Sequence, residues 1–86
     1  MSIKAVIGQR IVKKDESVEL KGWIDARFEN RSTKPVLIFN RKYEPKEIFF
    51  AGVGNLPVYG EVQVEFDPEE TQKKVLVTYG TEKDCI

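Results

Sequence analysis

A strict alternation of apolar and polar residues constrains the fold of this chain more than any other feature. Val62, Val64 and Phe66 alternate with acidic residues and a glutamine, and Val75, Val77 and Tyr79 fall on one face of the next such segment. Such alternation is typical of a strand with one buried and one solvent-facing side. No segment carries an apolar stripe of helical period over ten or more residues. We therefore predict an all-β protein.

Four more segments favour strands, so the chain should contain five to six short antiparallel strands. They are residues 3–12, 18–25, 36–39 and 48–51, which are rich in β-branched and aromatic residues. A chain of 86 residues is long enough for one domain. We predict a single domain over residues 1–86, either a small closed β-barrel or a tight sandwich, because closure removes exposed strand edges.

The last two strands are predicted to form an acidic hairpin. Residues 67–72 begin with Asp-Pro, a common start of a turn, and would connect the two strands. The carboxylates expected on its solvent side are Glu61, Glu65, Asp67, Glu69 and Glu70. This hairpin, or an unpaired edge strand, could bind a protein partner by charge or by β-augmentation.

Missing residue types argue against catalysis. The chain has no histidine and one cysteine, which leaves no imidazole base and no set of zinc ligands. Glycine-rich phosphate-binding motifs are also missing. We expect no enzymatic activity, no metal and no cofactor. Without an apolar run of about 20 residues or a signal peptide, we expect no membrane partner and a cytoplasmic location.

Charge is balanced overall but unevenly distributed. Fourteen basic and fourteen acidic residues give a net charge of zero, so the chain lacks a strong field for nucleic acid or membranes. The middle of the chain is basic, however, and carries aromatic residues among its cations. Cations that follow phosphates and rings that stack on bases are typical of single-stranded nucleic-acid sites. The candidates are Trp23, Arg27, Arg31, Lys34, Arg41, Lys42 and Tyr43.

Trp23 and Phe39 each allow two interpretations from the residues around them. Alternation places Val18, Leu20 and Ile24 on one face of a strand and Trp23 on the polar face. There Trp23 could be a stacking platform, or it could be a core residue if both faces are covered. Phe39 ends an apolar run and is expected in the core.

Residues 18–24, followed by Arg27, Phe39 and Arg41, resemble the start of an OB-fold nucleic-acid-binding domain. The Gly22-Trp23 pair and the later basic residues are similar to the anticodon-binding domains of class II aminoacyl-tRNA synthetases. Length and strand content also resemble the short single-stranded-DNA-binding proteins of filamentous phages. This resemblance implies that Trp23, Arg27, Phe39 and Arg41 lie on an RNA- or DNA-facing sheet.

Two functions therefore remain open, and the position of the charges should separate them. Convergence of Arg27, Arg31, Arg41 and Lys42 on one face with Trp23 would favour single-stranded DNA or RNA as the partner. Scattered cations beside a continuous acidic face would favour a protein partner.

Overall fold

The computed structural model shows seven antiparallel strands joined by turns and loops in the part of the chain that it describes. That part comprises residues 2–52 and 56–85, with side chains described for residues 7–52 and 56–81. The strands are β1 (Ser2–Val12), β2 (Glu16–Asn30), β3 (Val36–Ile38), β4 (Arg41–Tyr43), β5 (Ile48–Phe50), β6 (Val58–Phe66) and β7 (Val75–Cys85). The all-β prediction is confirmed. The described residues contain no helix long and apolar enough to cross a membrane.

The sheet folds into two layers that share strand β2. The strand order is β1-β7-β2-β6-β3-β4, and β5 also pairs with β2. Layer A contains β1, β7, the second half of β2 and β5. Layer B contains the first half of β2, then β6, β3 and β4. The sheet does not close on itself, so the sandwich fits and the closed barrel does not.

Two irregularities in β2 change which of its residues face the core. Register shifts occur between Lys21 and Trp23 and between Ile24 and Arg27, where Gly22 (φ 72°) and Asp25 (φ 54°) adopt left-handed backbone conformations. Each added residue moves the following side chains to the opposite face. Buried positions therefore run from 18 and 20 to 23, and then to 26, 28 and 30.

The predicted hairpin between the last two strands is wrong. β6 pairs with β2 and β3, whereas β7 pairs with β1 and β2. The connection at residues 67–74 therefore crosses from layer B to layer A. Both strands do alternate as predicted, because each buries one face against the core between the layers. Alternation identifies a strand but does not identify its neighbour.

The predicted number of strands, five to six, is also too low, because the strand predicted at residues 36–39 is followed by an additional strand, β4. Phe39 and Asn40 have φ values of 53° and 64°, which is typical of a type I′ turn between β3 and β4. Asn-Gly is the usual signal for this turn, and Phe-Asn does not resemble it. β2, with 15 residues, and β7, with 11, are also longer than the short strands predicted.

The core lies between the two layers and is almost entirely apolar. Its largest fully buried side chains include Phe28 and Ile38, and the others are mostly valines contributed by both layers. The buried apolar residues are Val12, Val18, Leu20, Trp23, Ala26, Phe28, Val36, Ile38, Val62, Val64, Phe66, Val75 and Val77. Layer A thus packs its inner face against layer B through these residues.

Candidate functional site

The predicted cations do not converge on one face. Arg27 lies on the outer face of layer A, opposite Phe50 and Thr78 in the register. Arg31 and Lys34 lie in the connection after β2, and Arg41 and Lys42 lie on β4 at the far edge of layer B. β2 and β3 are not neighbours, since β6 lies between them. The bend in β2 separates residues that are close in sequence.

Acidic side chains already pair with most of these cations. Arg27 lies 3.0 Å from Asp25, and Arg31 lies 3.0 Å from Glu29. Lys42 is 3.8 Å from a carboxylate oxygen of Glu44. Each exposed pair contributes only about 0–1 kcal/mol to stability. The carboxylates nevertheless reduce the attraction that these cations could exert on phosphates.

Trp23 is a core residue and not an exposed platform. Only 7% of its surface is exposed, and its ring stacks on Tyr79 with centroids 3.8 Å apart and planes 4° apart. Alternation predicted the polar face for Trp23, but the bulge at Gly22 turns its side chain inward. Of the two interpretations open for this residue, the core interpretation is confirmed.

Phe39 and Tyr43 form an aromatic cluster with Phe49 where the two layers meet at β4 and β5. Phe39 and Tyr43 each lie 5.8 Å from Phe49 between ring centroids, and Phe28 lies 5.9 Å from it on the core side. Phe39 is 56% exposed, so its predicted place in the core is wrong. Tyr43 is half-buried, and its ring packs edge-to-face with the ring of Phe49.

Replacing Phe39 by asparagine should change the free energy of unfolding by less than about 1 kcal/mol. The interaction of the Phe39 ring with Phe49, which this variant lacks, is worth about 0.5–1.5 kcal/mol. The left-handed conformation of a bulky residue costs about 1–2 kcal/mol, which asparagine largely avoids. Phe39→Ala also lacks the ring but keeps the strain, so we expect the Asn variant to be more stable than the Ala variant by about 1 kcal/mol in urea unfolding. Equal stability of the two variants would contradict the strain at this turn.

The five predicted acidic residues are divided between two places. Glu61 and Glu65 lie on β6 and point to the outer face of layer B, while Asp67, Glu69 and Glu70 belong to the crossing connection. The Asp67 side chain accepts a hydrogen bond from the Glu69 amide. These carboxylates therefore do not form the continuous acidic hairpin predicted for a protein partner.

Glu70 is a buried structural residue. Its carboxylate accepts hydrogen bonds from the Thr33 hydroxyl at 2.6 Å, the Thr33 amide and the Lys34 amide at 3.1 Å. The Thr33 hydroxyl, supported by amides, lowers the pKa of Glu70 from 4.5 to about 2, against the opposing effect of burial. Glu70 thus holds the connection after β2 against the crossing connection, and partners cannot reach it readily.

We expect Glu70 to make stability depend on pH in acid. Its pKa is lower in the folded than in the unfolded chain, so its contribution is complete above pH about 4.5 and is lost as the pH falls towards about 2. Glu70→Gln should lower the urea midpoint at neutral pH and flatten its decline over this interval. Glu69→Gln, at the exposed neighbouring position, is the control and should leave the decline unchanged. The same decline in wild type and Glu70→Gln would contradict this role.

The outer face of layer A is rich in exposed apolar side chains. Strand pairing places Ile48, Leu76 and Ile11 in one row around Glu29, and Ile24 and Ile7 in another. Ile7 is 85% exposed and Phe50 is 59% exposed. We call this surface the apolar face and define it by Ile7, Ile11, Ile24, Ile48, Phe50 and Leu76.

The outer face of layer B has the opposite character. Glu19 pairs directly with Glu61, Lys21 with Tyr59, and Ser17 with Gln63. Leu37 is 41% exposed there but lies opposite Glu65 and Lys42. Charged side chains are typical of a strand face in contact with water. The outer faces of the two layers therefore differ in chemistry over the residues that the structure describes.

Two further features lie on or beside the apolar face. An open groove of about 440 Å³ is lined by Ile7, Ile24 and Thr78 among others. The Arg27 guanidinium carbon lies 5.4 Å from the centroid of the Phe50 ring. These features offer a partner an apolar recess beside a cation covered by an aromatic ring.

Comparisons of the chain with protein-family models, curated proteins and solved structures give no match.

The sequence prediction misses two exposed members of the apolar face, Ile48 and Phe50. Both stand in the run Ile48-Phe49-Phe50, which the sequence predicts only as a strand. The acidic residue next to this run, Glu47, and the shortness of the run are the signals of an edge strand that the sequence offers.

Proposed function

We propose that the protein is a non-enzymatic interaction module that binds a protein partner through the apolar face. The contrast between the two outer faces supports this most directly. Layer A carries several exposed isoleucines and a phenylalanine, whereas the exposed apolar residues of layer B, Leu37 and Tyr59, lie opposite charged residues. A concentration of exposed apolar side chains on one face of a small protein is typical of an interaction site. Aliphatic side chains also suit a protein better than a nucleic acid, whose recognition depends on cations and stacking rings.

The edge of β5 supports the same proposal. The Ala51 amide donates a hydrogen bond to the Ala26 carbonyl at 2.8 Å, and the Asn30 amide donates one to the Glu47 carbonyl at 3.0 Å. In an antiparallel pair, every second residue points its amide and carbonyl away from the neighbouring strand. On β5 these residues are Ile48 and Phe50, whose backbone groups point away from β2. No described strand pairs with β5 on that side. A partner strand could add here and place its side chains on the apolar face.

The proposal is tested by capturing a partner with the immobilised full chain and measuring hydrogen exchange in the purified complex. We expect one stoichiometric protein that slows exchange at the amides of Ile48 and Phe50. Exchange on the outer face of layer B, at Glu19 and Glu61, serves as the internal control and should be unchanged. Protection confined to layer B, or recovery of no stoichiometric protein, would overturn the proposal.

A second candidate is binding of single-stranded nucleic acid around β4 and β5. Phe39 and Phe50 are exposed rings, Arg27 lies over Phe50, and Arg41 forms no ion pair with the described residues. A base could stack on either ring, at about 1–3 kcal/mol per base. This candidate predicts binding that decreases with salt and with Phe39→Asn. Binding of oligonucleotides unaffected by Phe39→Asn would count against this site.

A further inference from the structure

β1 forms one edge of layer A in the part of the chain that the structure describes. β7 pairs with β2 only as far as Gly80, whereas β1 and β7 remain paired out to Ser2 and Cys85. Among the described strands, residues 2–5 and 82–85 therefore pair only with each other.

Among the described strands, only β7 pairs with β1, so the other edge of β1 has no described partner along its 11 residues. Natural proteins usually protect such an edge by shortness, proline or dense charge. β1 has no proline and only two charged residues, Lys4 and Arg10. Its edge thus differs from that of β4, which is short and carries Arg41 and Lys42.

We infer that two copies of this chain pair through their β1 edges, antiparallel and across a two-fold axis at Gln9. This register places Ile7 of one copy opposite Ile11 of the other, and Arg10 opposite Gly8. A register centred on Ile7 would instead place Lys4 opposite Arg10, and like charges directly opposite are destabilising. A net charge of zero leaves no long-range repulsion between the copies.

The pairing accounts for the unpaired edge of β1, because residues 6–12 of each copy lie opposite residues 12–6 of the other. Over these residues each β1 becomes a central strand, so layer A extends across both copies as one sheet. Ile7, which is 85% exposed in the single chain, comes to lie beside an isoleucine of the second copy on the same face. A foreign strand could fill the same edge, but only a second copy offers the self-complementary isoleucine pairs. The pairing shares Ile7 and Ile11 with the apolar face, but it uses the β1 edge of layer A, whereas the proposed protein partner would add at β5.

Sedimentation equilibrium of the full chain tests the pairing. We expect twice the 9.9 kDa mass of one chain, and we expect Ile7→Lys to weaken the dimer about tenfold or more, because the substitution occurs twice per interface. Leu37→Lys, on the outer face of layer B, is the matched control and should remain a dimer. A wild-type chain that stays monomeric at all concentrations would overturn the inference.

A cysteine pair tests the register in a Cys85→Ser background. Residues directly opposite each other have Cα atoms within disulfide range, so Gln9→Cys should form an intermolecular disulfide. Ile11→Cys should not, because the two copies of position 11 lie four residues apart along the strands. Cross-linking at position 11 but not 9, or a dimer indifferent to Ile7→Lys, would place the interface elsewhere and contradict the inference.

Discussion

Trp23→Ala is expected to lower the free energy of unfolding by about 3–5 kcal/mol. Trp23 is 7% exposed and belongs to the core of the sandwich. Its removal leaves a cavity and also ends the parallel stack with Tyr79 at 3.8 Å. A domain of this size has a total stability of roughly 4–13 kcal/mol, so the loss is a large fraction of it. Urea unfolding followed by far-UV circular dichroism measures the change.

Trp23→Phe is the matched variant, because it keeps a ring against Tyr79 and most of the buried volume. We expect it to unfold between the wild type and Trp23→Ala. If Trp23→Ala costs less than about 1 kcal/mol, which is typical of exposed positions, then the indole is accessible. That result would restore the nucleic-acid platform predicted from alternation.

The second large effect is expected on binding and not on stability. Phe50→Lys should weaken binding of the captured protein partner by about 30-fold or more. This corresponds to about 2 kcal/mol, as expected for an aromatic residue at the centre of an interface. Phe50 is 59% exposed and its described side-chain contact is the one with Arg27. The variant should therefore fold normally, with a stability change below about 1 kcal/mol.

Leu37→Lys controls for the added charge, because Leu37 is a partly exposed apolar residue on the outer face of layer B. It should leave the affinity of the partner within about threefold of wild type, as expected outside a hot spot. Isothermal titration of the purified partner with each variant gives the comparison. Equal losses for the two variants would show that the apolar face is not the binding surface.

The strands were predictable from the sequence, but their pairing was not. Residues 62–66 and 75–79 alternate because each strand covers one side of the core, and that periodicity is visible in the residues themselves. Their partners depend on the bend in β2, where Gly22 and Asp25 have positive φ values. A glycine such as Gly22 indicates in the sequence that the strand can bend there, whereas an aspartate such as Asp25 gives no such signal. For this reason alternation alone assigns Trp23 to the polar face, whereas the structure places it in the core, the other position that the sequence leaves open.

The roles of side chains that depend on contacts between residues distant in the sequence were also not predictable from the alternation pattern. Glu70 looked like a solvent-facing carboxylate, yet it lies buried against Thr33, 37 residues away. The run from Ile48 to Phe50 looked like any apolar strand. Its position at an edge, with two side chains facing outward, follows only from its pairing with β2. The basic residues were predicted together because they are close in sequence, and the fold separates them.

Whether apolar contact or electrostatic attraction drives binding is tested most directly by a salt titration. We would follow labelled single-stranded DNA and RNA oligomers by fluorescence anisotropy as the chain is added, at about 50 mM and about 200 mM salt, and measure the captured protein partner in parallel. The proposal predicts no saturable oligomer binding even at low salt. It also predicts that the affinity for the protein partner changes by less than about threefold between the two salt concentrations. Tight oligomer binding that falls steeply between the two conditions would contradict it and make the surface around Phe39, Phe50 and Arg41 the functional site.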